Sequence, residues 1–316
     1  MKNTGLDRFE NANFNSFTSD IGMKIRKTIN RPWRALLKVF MKRKLIIEQY
    51  PALEKNKAYI FAANHSFDEE ILAVLSSIGR NAFLLHGSTH QMEHNPISYA
   101  GYLNGMIYVN RMQKQSRTDA IEKMKRVLRA GNSILLFPEG GYNNTENQLI
   151  MPLFSSPYIL SKEMQIEVVP IIAFCQEETR EVFIWAGEPM KLGVYEKEEV
   201  LAHLRDVMSS IVYDIVEEHV APVKRSELKA DCFRDFMEQR KAVYECQKWY
   251  DDVWDEELTY YPGHGVTTPQ KAREYVDDVE VNAKNAYMLA DTLVRREEDI
   301  RHDLKRYLRA NLKLSR

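Results

Sequence analysis

Residues 58–72 read AYIFAANHSFDEEIL. The run Tyr59 to Ala63 is apolar without interruption, as a strand buried on both faces should be. It breaks at Asn64-His65, and Asp68, Glu69 and Glu70 then open a stretch of helical periodicity, where acids favour the helix dipole. A buried strand, a polar turn and a helix in fifteen residues are the unit of an α/β fold. A histidine at the end of such a strand stands where open α/β sheets bind ligands.

Outward from this unit, residues 57 to 220 alternate short apolar runs with helical periods. Strands are predicted at 58–63, 82–86, 105–109, 133–137, 167–173 and 181–186, and helices near 69–79, 117–130, 155–164 and 197–219. Ser116 and Thr118 offer caps for the second helix, and Gly131 a stop. The pattern predicts an α/β domain with a central, largely parallel sheet flanked by helices. We place it at residues 51–222.

Before it, 21–47 (IGMKIRKTINRPWRALLKVFMKRKLII) holds nine Lys or Arg and no acid. Ile29, Trp33, Leu36, Leu37, Phe40 and Met41 recur at helical spacing, so residues 1–50 are expected to form a basic amphipathic helical segment. Such a segment suits an anionic membrane surface; the alternative is a helix packed on the domain with its basic side in water. After 222 the strand pattern ceases. Residues 223–316 read as an all-helical extension, with helix over 226–254 and a heptad-like seam beyond Thr268-Pro269. A hairpin on the sheet domain and a homodimerisation arm are both open.

The whole chain of 316 residues is 44% hydrophobic and 28% charged with a formal net charge of -1, which gives no reason to expect nucleic acid. Cys175, Cys232 and Cys246 are widely spaced and form no C-x-x-C pair, so reduced thiols of a cytoplasmic protein are expected. The opening MKNTGLDRFENANFNSF lacks the apolar core of a signal peptide. The longest uncharged run, 94–110, is too short and too rich in Asn, Gly and Pro to cross a bilayer. His86, His90 and His94 are spaced by four, but Gly87-Ser88 and Asn95-Pro96 argue for a loop, and no metal site is expected.

Three strand ends converge in type. His65 is a side chain that titrates near neutrality, and an acid shortly after it could orient it. SILLFPEGG (133–141) delivers Glu139 with Gly140 and Gly141, whose missing side chains let backbone approach a ligand. GMIYVNR (105–111) delivers Arg111, a residue able to grip phosphate with two donors.

These segments, NHSFDEEIL (64–72), GMIYVNR (105–111), LLFPEGG (135–141) and VVPIIAF (168–174), resemble in order and spacing the four motifs of the glycerolipid acyltransferases. The likeness is to the branch that includes 1-acylglycerol-3-phosphate acyltransferases, and it covers about residues 30–220. The resemblance implies that His65 is the general base that deprotonates an acceptor hydroxyl, which then attacks the thioester of acyl-CoA or acyl-carrier protein directly. Arg111 would hold the acceptor's phosphate. Asn64, Glu139, Gly140 and Gly141 would complete the acceptor site, and Pro170 would contact substrate or acyl chain. No metal or prosthetic group is implied. A peripheral enzyme on the inner face of the membrane, acting on a lysophospholipid, is the expectation.

The chain departs from the family pattern twice. The acid five residues after the histidine is Glu70 instead of Asp, which leaves Glu70 and Asp68 both open as partners of His65. After the third motif the family has a polar and a basic residue, whereas here Gly141-Tyr142-Asn143-Asn144 follow, with Lys114 and Arg117 as replacement cations. That departure keeps a glycolipid or another hydroxylated acceptor in view. A catalytically silent lipid-binding protein is the alternative of another class.

Overall fold

The computed structural model describes residues 20–28, 41, 43–66, 70–87, 106–109, 114–143, 148–176, 179–194, 196–221 and a few isolated positions as far as 235. Asp68, His90, His94, Arg111, His264 and the expected C-terminal helices lie outside the described residues, as does most of 29–42.

Seven strands form one sheet: β1 (Lys44–Gln49), β2 (Ile60–Ala63), β3 (Ala82–Gly87), β4 (Ile107–Val109), β5 (Ser133–Leu136), β6 (Val168–Gln176) and β7 (Glu181–Ala186), in the order β1-β7-β6-β2-β5-β3-β4. All neighbours are parallel except β6 and β7, which run antiparallel across a tight connection. The largely parallel sheet expected from the alternation is therefore present.

Among the described residues, α1 (Glu70–Ser77), α2 (Lys114–Arg129), α3 (Ser156–Met164) and α4 (Lys197–His219) pack on the sheet. Their apolar faces divide between two cores, because successive side chains of a strand point to opposite faces. Ile60, Ala62, Ile134 and Leu136 face one core, together with Met124 and Val127 of α2, Leu160 of α3, and Leu204, Met208 and Ile215 of α4. Phe61, Ala63, Leu135, Val169 and Ile171 face the other, closed by Ala73 and Val74 of α1. Every residue of β2 and β5 is buried, which is why both read as unbroken apolar runs.

Two local expectations need correction. The basic segment does not stay helical to 47: Lys44–Gln49 is β1, paired in parallel with β7 from Lys44↔Glu181 onward. Its exposed outer positions suit charged residues on an edge strand, so its Lys and Glu masked a strand behind a helical count. Helix α2 also begins at Lys114, ahead of the caps foreseen at Ser116 and Thr118. Thr118 instead returns its hydroxyl to Lys114 O at 3.1 Å, and Ser116 is buried within the helix. Gly131 does end the helix, at φ +75°, where a residue with Cβ is disfavoured.

Residues 20–28 are helical, and this helix docks at the N-terminal ends of β3 and β5. Arg26 is buried there, donating to Asn81 Oδ1 and to Ala82 O, with its guanidinium 4.0 Å over the Phe83 ring. Ile21 and Ile25 point outward at 73% and 51% exposure, beside exposed Lys24 and Lys27. Among the described residues, no helix is long and apolar enough to cross a membrane.

Candidate active site

The site lies at the C-terminal ends of the adjacent strands β2 and β5. β2 stops at Ala63, and Asn64 completes its ladder with a side chain. Asn64 Oδ1 accepts from Ala173 N–H at 2.8 Å, and Nδ2 donates to Ala173 O at 3.1 Å and to Ser66 Oγ at 3.1 Å. The amide thus mimics one more strand residue on β6, while the main chain turns out of the sheet at His65.

His65 Nδ1 pairs with Glu70 Oε1. The His65 side chain retains 16% exposure and that of Glu70 none, so the imidazole is the open end of the pair. Glu70 is the first residue of α1, and its second oxygen accepts from the main-chain N–H of Ser66. A carboxylate at a helix start that accepts from a main-chain N–H four residues earlier follows capping logic. The same geometry aims the other oxygen at the histidine. Of the two acids left open, Glu70 is therefore seen in contact with His65; Asp68 is outside the described residues.

Glu139 arrives from the turn after β5 and is 1% exposed. Its Oε1 accepts from His65 N–H at 2.8 Å and its Oε2 from Met151 N–H at 2.7 Å. Burial pushes its carboxyl up to about 7, against those two N–H bonds and the nearby His65, which lower it. The Glu139 side chain thus holds the backbone of His65. Gly140 follows at φ +77°, and a Cβ there would come within 2.2 Å of Phe154, so the close approach requires glycine. Gly141 is buried next to it.

Sequence reasoning missed the other wall of the site. Asn143 N–H donates to His65 O at 2.8 Å, and the rings of Phe137 and Tyr142 lie 4.9 and 4.2 Å from the imidazole centroid. Their signal in the sequence was only proximity to Glu139, which does not say which way a loop folds. Ser66 carried a better signal, being a hydroxyl residue four positions before a helix-initial acid.

The family model for acyltransferases matches residues 44–173, a span that contains β1, His65, Glu70 and Glu139. An uncharacterized acyltransferase of Schizosaccharomyces pombe is 24% identical over 127 residues, 40% of this chain and 45% of that protein, so the chain spans less than half of that relative's length. The crystal structure of the 1-acyl-sn-glycerophosphate (LPA) acyltransferase PlsC from Thermotoga maritima is similar with a TM-score of 0.47 and 18% identity, over 66% of this chain and 87% of that one.

Of the remaining predicted residues, Pro170 sits inside β6, opposite Ala62 of β2, with its carbonyl accepting from Gly187 N–H at 2.9 Å. Its ring packs where a Cβ on Gly187 would meet it at 2.9 Å. Pro170 lies one residue outside the β6–β7 pairing, which ends at Ile171↔Ala186, and joins Gly187 through its carbonyl alone, so its missing N–H falls at the margin of that ladder. Arg111 follows β4 outside the described residues; Lys114 and Arg117 open α2 and are exposed. Elsewhere among the described residues, Glu48, Glu218 and His219 bring ligand-type atoms together. His219 Nε2 lies 2.7 Å from Glu48 Oε2 and its ring stacks on Phe183 at 3.9 Å, so these contacts tie α4 to the edge strand.

Proposed function

We propose that this chain is a peripheral-membrane O-acyltransferase that moves a fatty acyl group from acyl-CoA or acyl-carrier protein to a free hydroxyl of a lysophospholipid. The observation that carries the reading is the His65–Glu70 pair at the open edge of the sheet. With Nδ1 committed to Glu70, Nε2 is the basic nitrogen offered to a substrate. It takes the acceptor's hydroxyl proton as the oxygen attacks the thioester carbonyl. A C–O bond forms, the C–S bond breaks, and the thiolate takes the proton back from the imidazolium. Atoms balance with no metal or prosthetic group. Glu139 and Asn143, holding the N–H and C=O of His65, keep the base from drifting as charge develops on it.

The N-terminal helix supports the membrane part of the reading, because Ile21 and Ile25 are exposed beside Lys24 and Lys27. The proposal puts the enzyme on the inner face of the membrane, on the side of its acyl donor. Arg111, from its place after β4, is proposed to hold the acceptor's phosphate.

The test is acyl transfer by the purified chain from acyl-CoA and from acyl-carrier protein to a panel of lysophospholipids and lysoglycolipids, followed by mass spectrometry. His65→Ala should stay folded and lose about 10²–10⁴-fold in kcat. Retained turnover in that variant sinks the mechanism, and no transfer to any acceptor by the wild type sinks the function.

A further inference from the structure

His65 is held at its main-chain N–H by Glu139, and Glu139 stands on neither a strand nor a helix. It sits in the turn after β5, so its grip on His65 is only as firm as what holds its own carboxylate. One oxygen is given to His65, and the other accepts from Met151 N–H at 2.7 Å. Met151 also lies in irregular chain, between β5 and α3. Something must hold Met151 in turn.

The holder is on α4. Arg205 donates Nε–H to Ile150 O at 2.8 Å, and a longer contact, 3.5 Å from its Nη2 to Gln148 Oε1, adds to the same anchorage. The Ile150 carbonyl and the Met151 N–H belong to one peptide unit. That unit is planar and stiff, so fixing its oxygen also fixes where its N–H points. A single line therefore runs from Arg205 through the Ile150–Met151 peptide and Glu139 to the His65 N–H. Ile150, Met151 and Glu139 are all buried, so the line passes through the interior, where hydrogen bonds are strong. Its far end is firm as well: Leu204 and Met208, on either side of Arg205 in α4, are fully buried in the core.

We propose that Arg205 is a positioning residue for the base: by holding the Ile150–Met151 peptide it sets Glu139, and through Glu139 the main chain of His65. The proposal rests on the general-base reading of His65. α4 follows the last of the four motifs, at 168–174, so nothing in the sequence singled Arg205 out.

The full chain is compared as wild type, Arg205→Met, Arg205→Gln, Glu139→Gln and the double variant Arg205→Met with Glu139→Gln. Methionine fills the space without a donor, whereas glutamine can place an N–H where Nε stood. Kinetics report kcat and the acceptor KM, and carbon NMR of labelled glutamates follows the titration of the Glu139 carboxyl. In Arg205→Met, kcat should fall about tenfold while KM stays within about twofold, as expected for a slightly displaced catalytic group. The Glu139 midpoint should rise from about 7, because the Met151 N–H that lowers it is loosened. The charged neighbours of Glu139 are His65, which lowers it, and Glu70, which raises it, and both stay in place in every Arg205 variant. Arg205→Gln should return the midpoint and bring kcat to within about threefold of the wild type. The double variant should lose far less than the product of the two single losses, since both residues act in one line. An arginine that only braced the fold would lower the unfolding temperature and leave kcat and midpoint unmoved, which overturns the proposal. So do single losses that multiply in the double variant, or a rise in KM alone, which would make Arg205 a substrate contact. If Arg205→Met does not fold, Arg205→Lys decides, since it keeps the charge but puts a methylene where Nε donated. It should shift kcat and midpoint in the same directions, and no shift in either overturns the proposal. A wild type that transfers no acyl group overturns the general-base reading instead, and the midpoint still shows whether Arg205 sets Glu139.

Discussion

At the N-terminal ends of the central strands the protein buries a cation, and at their C-terminal ends it buries two acids. Arg26 is 2% exposed, while Glu70 and Glu139 are 0% and 1% exposed. Arg26 spends its donors on Asn81 Oδ1 and Ala82 O, neighbours at the start of one strand, and so fastens a helix to the sheet. The two acids accept from Ser66, His65 and Met151 N–H groups and meet an imidazole, and so fasten that ring to the sheet. Both edges obey the rule that buried polar groups must be hydrogen-bonded. They differ in what is fastened: a helix at the one edge, and at the other an imidazole whose side chain keeps 16% exposure.

The comparison can be broken most forcefully at Glu70. Glu70→Gln keeps the length and can still accept from Ser66 N–H, but it cannot balance an imidazolium. We expect kcat to fall about 10²–10⁴-fold, as when the acid behind a catalytic histidine loses its charge. Chemical denaturation should place its midpoint near that of the wild type, and a full loss of folding would move Glu70 into the structural class with Arg26.

The converse experiment is Arg26→Met, which fills the volume and strands two buried acceptors. Stability should fall by about 1–3 kcal/mol in urea denaturation, with kcat of the folded protein unchanged. Loss of activity without loss of stability would show that the two edges are not separate in function.

Glu139 sharpens the comparison through pH. Folded, it holds its proton up to about pH 7, whereas its ordinary value is 4.5. Between those values the folded state binds more protons than the unfolded one, so this group's contribution to stability is present at low pH and lost as pH rises. Measured against Glu139→Gln by thermal unfolding, the wild type should lose stability from about pH 4.5 to about pH 7 and show no further relative change above. A relative gain over that range would mean the two N–H bonds outweigh burial.

The smallest effect is expected at the exposed helix. Lys24→Glu with Lys27→Glu should weaken binding to anionic vesicles by about 1 kcal/mol for each cation removed near the surface, read by sedimentation at low salt. Activity on dispersed short-chain acceptor should persist. Unchanged vesicle binding would leave the helix of 20–28 as a fastening device alone.

The edge that carries His65 and Glu139 was legible in the sequence because its residues follow buried strands. An apolar run that ends in His65, or in Phe137-Pro138-Glu139, announces both the strand and what lies at its end. The opposite edge was illegible for the reason that Arg26 looks like its neighbours: nothing in KIRK distinguishes the buried cation from the exposed Lys24 and Lys27. β1 was hidden because an edge strand with one covered face keeps charged residues, and so lacks the apolar run that betrays β2. The ring of Tyr142 was hidden for a third reason. A loop's direction depends on hydrogen bonds such as those of Asn143 to Gln148 and Leu149, which no periodicity records.

The side-chain amide of Asn64 has a consequence for protein engineering. By offering a donor and an acceptor to Ala173, it asks of its neighbour only one N–H and one C=O, which any parallel strand presents. Glu70 and Ser66 then orient the imidazole within the same seven residues. Asn64, Ser66 and Glu70 are thus a short-range set to graft when a histidine is to be seated at the lip of an unrelated parallel sheet. What a recipient scaffold would have to supply anew is the second strand's contribution, an acceptor for His65 N–H in the place of Glu139.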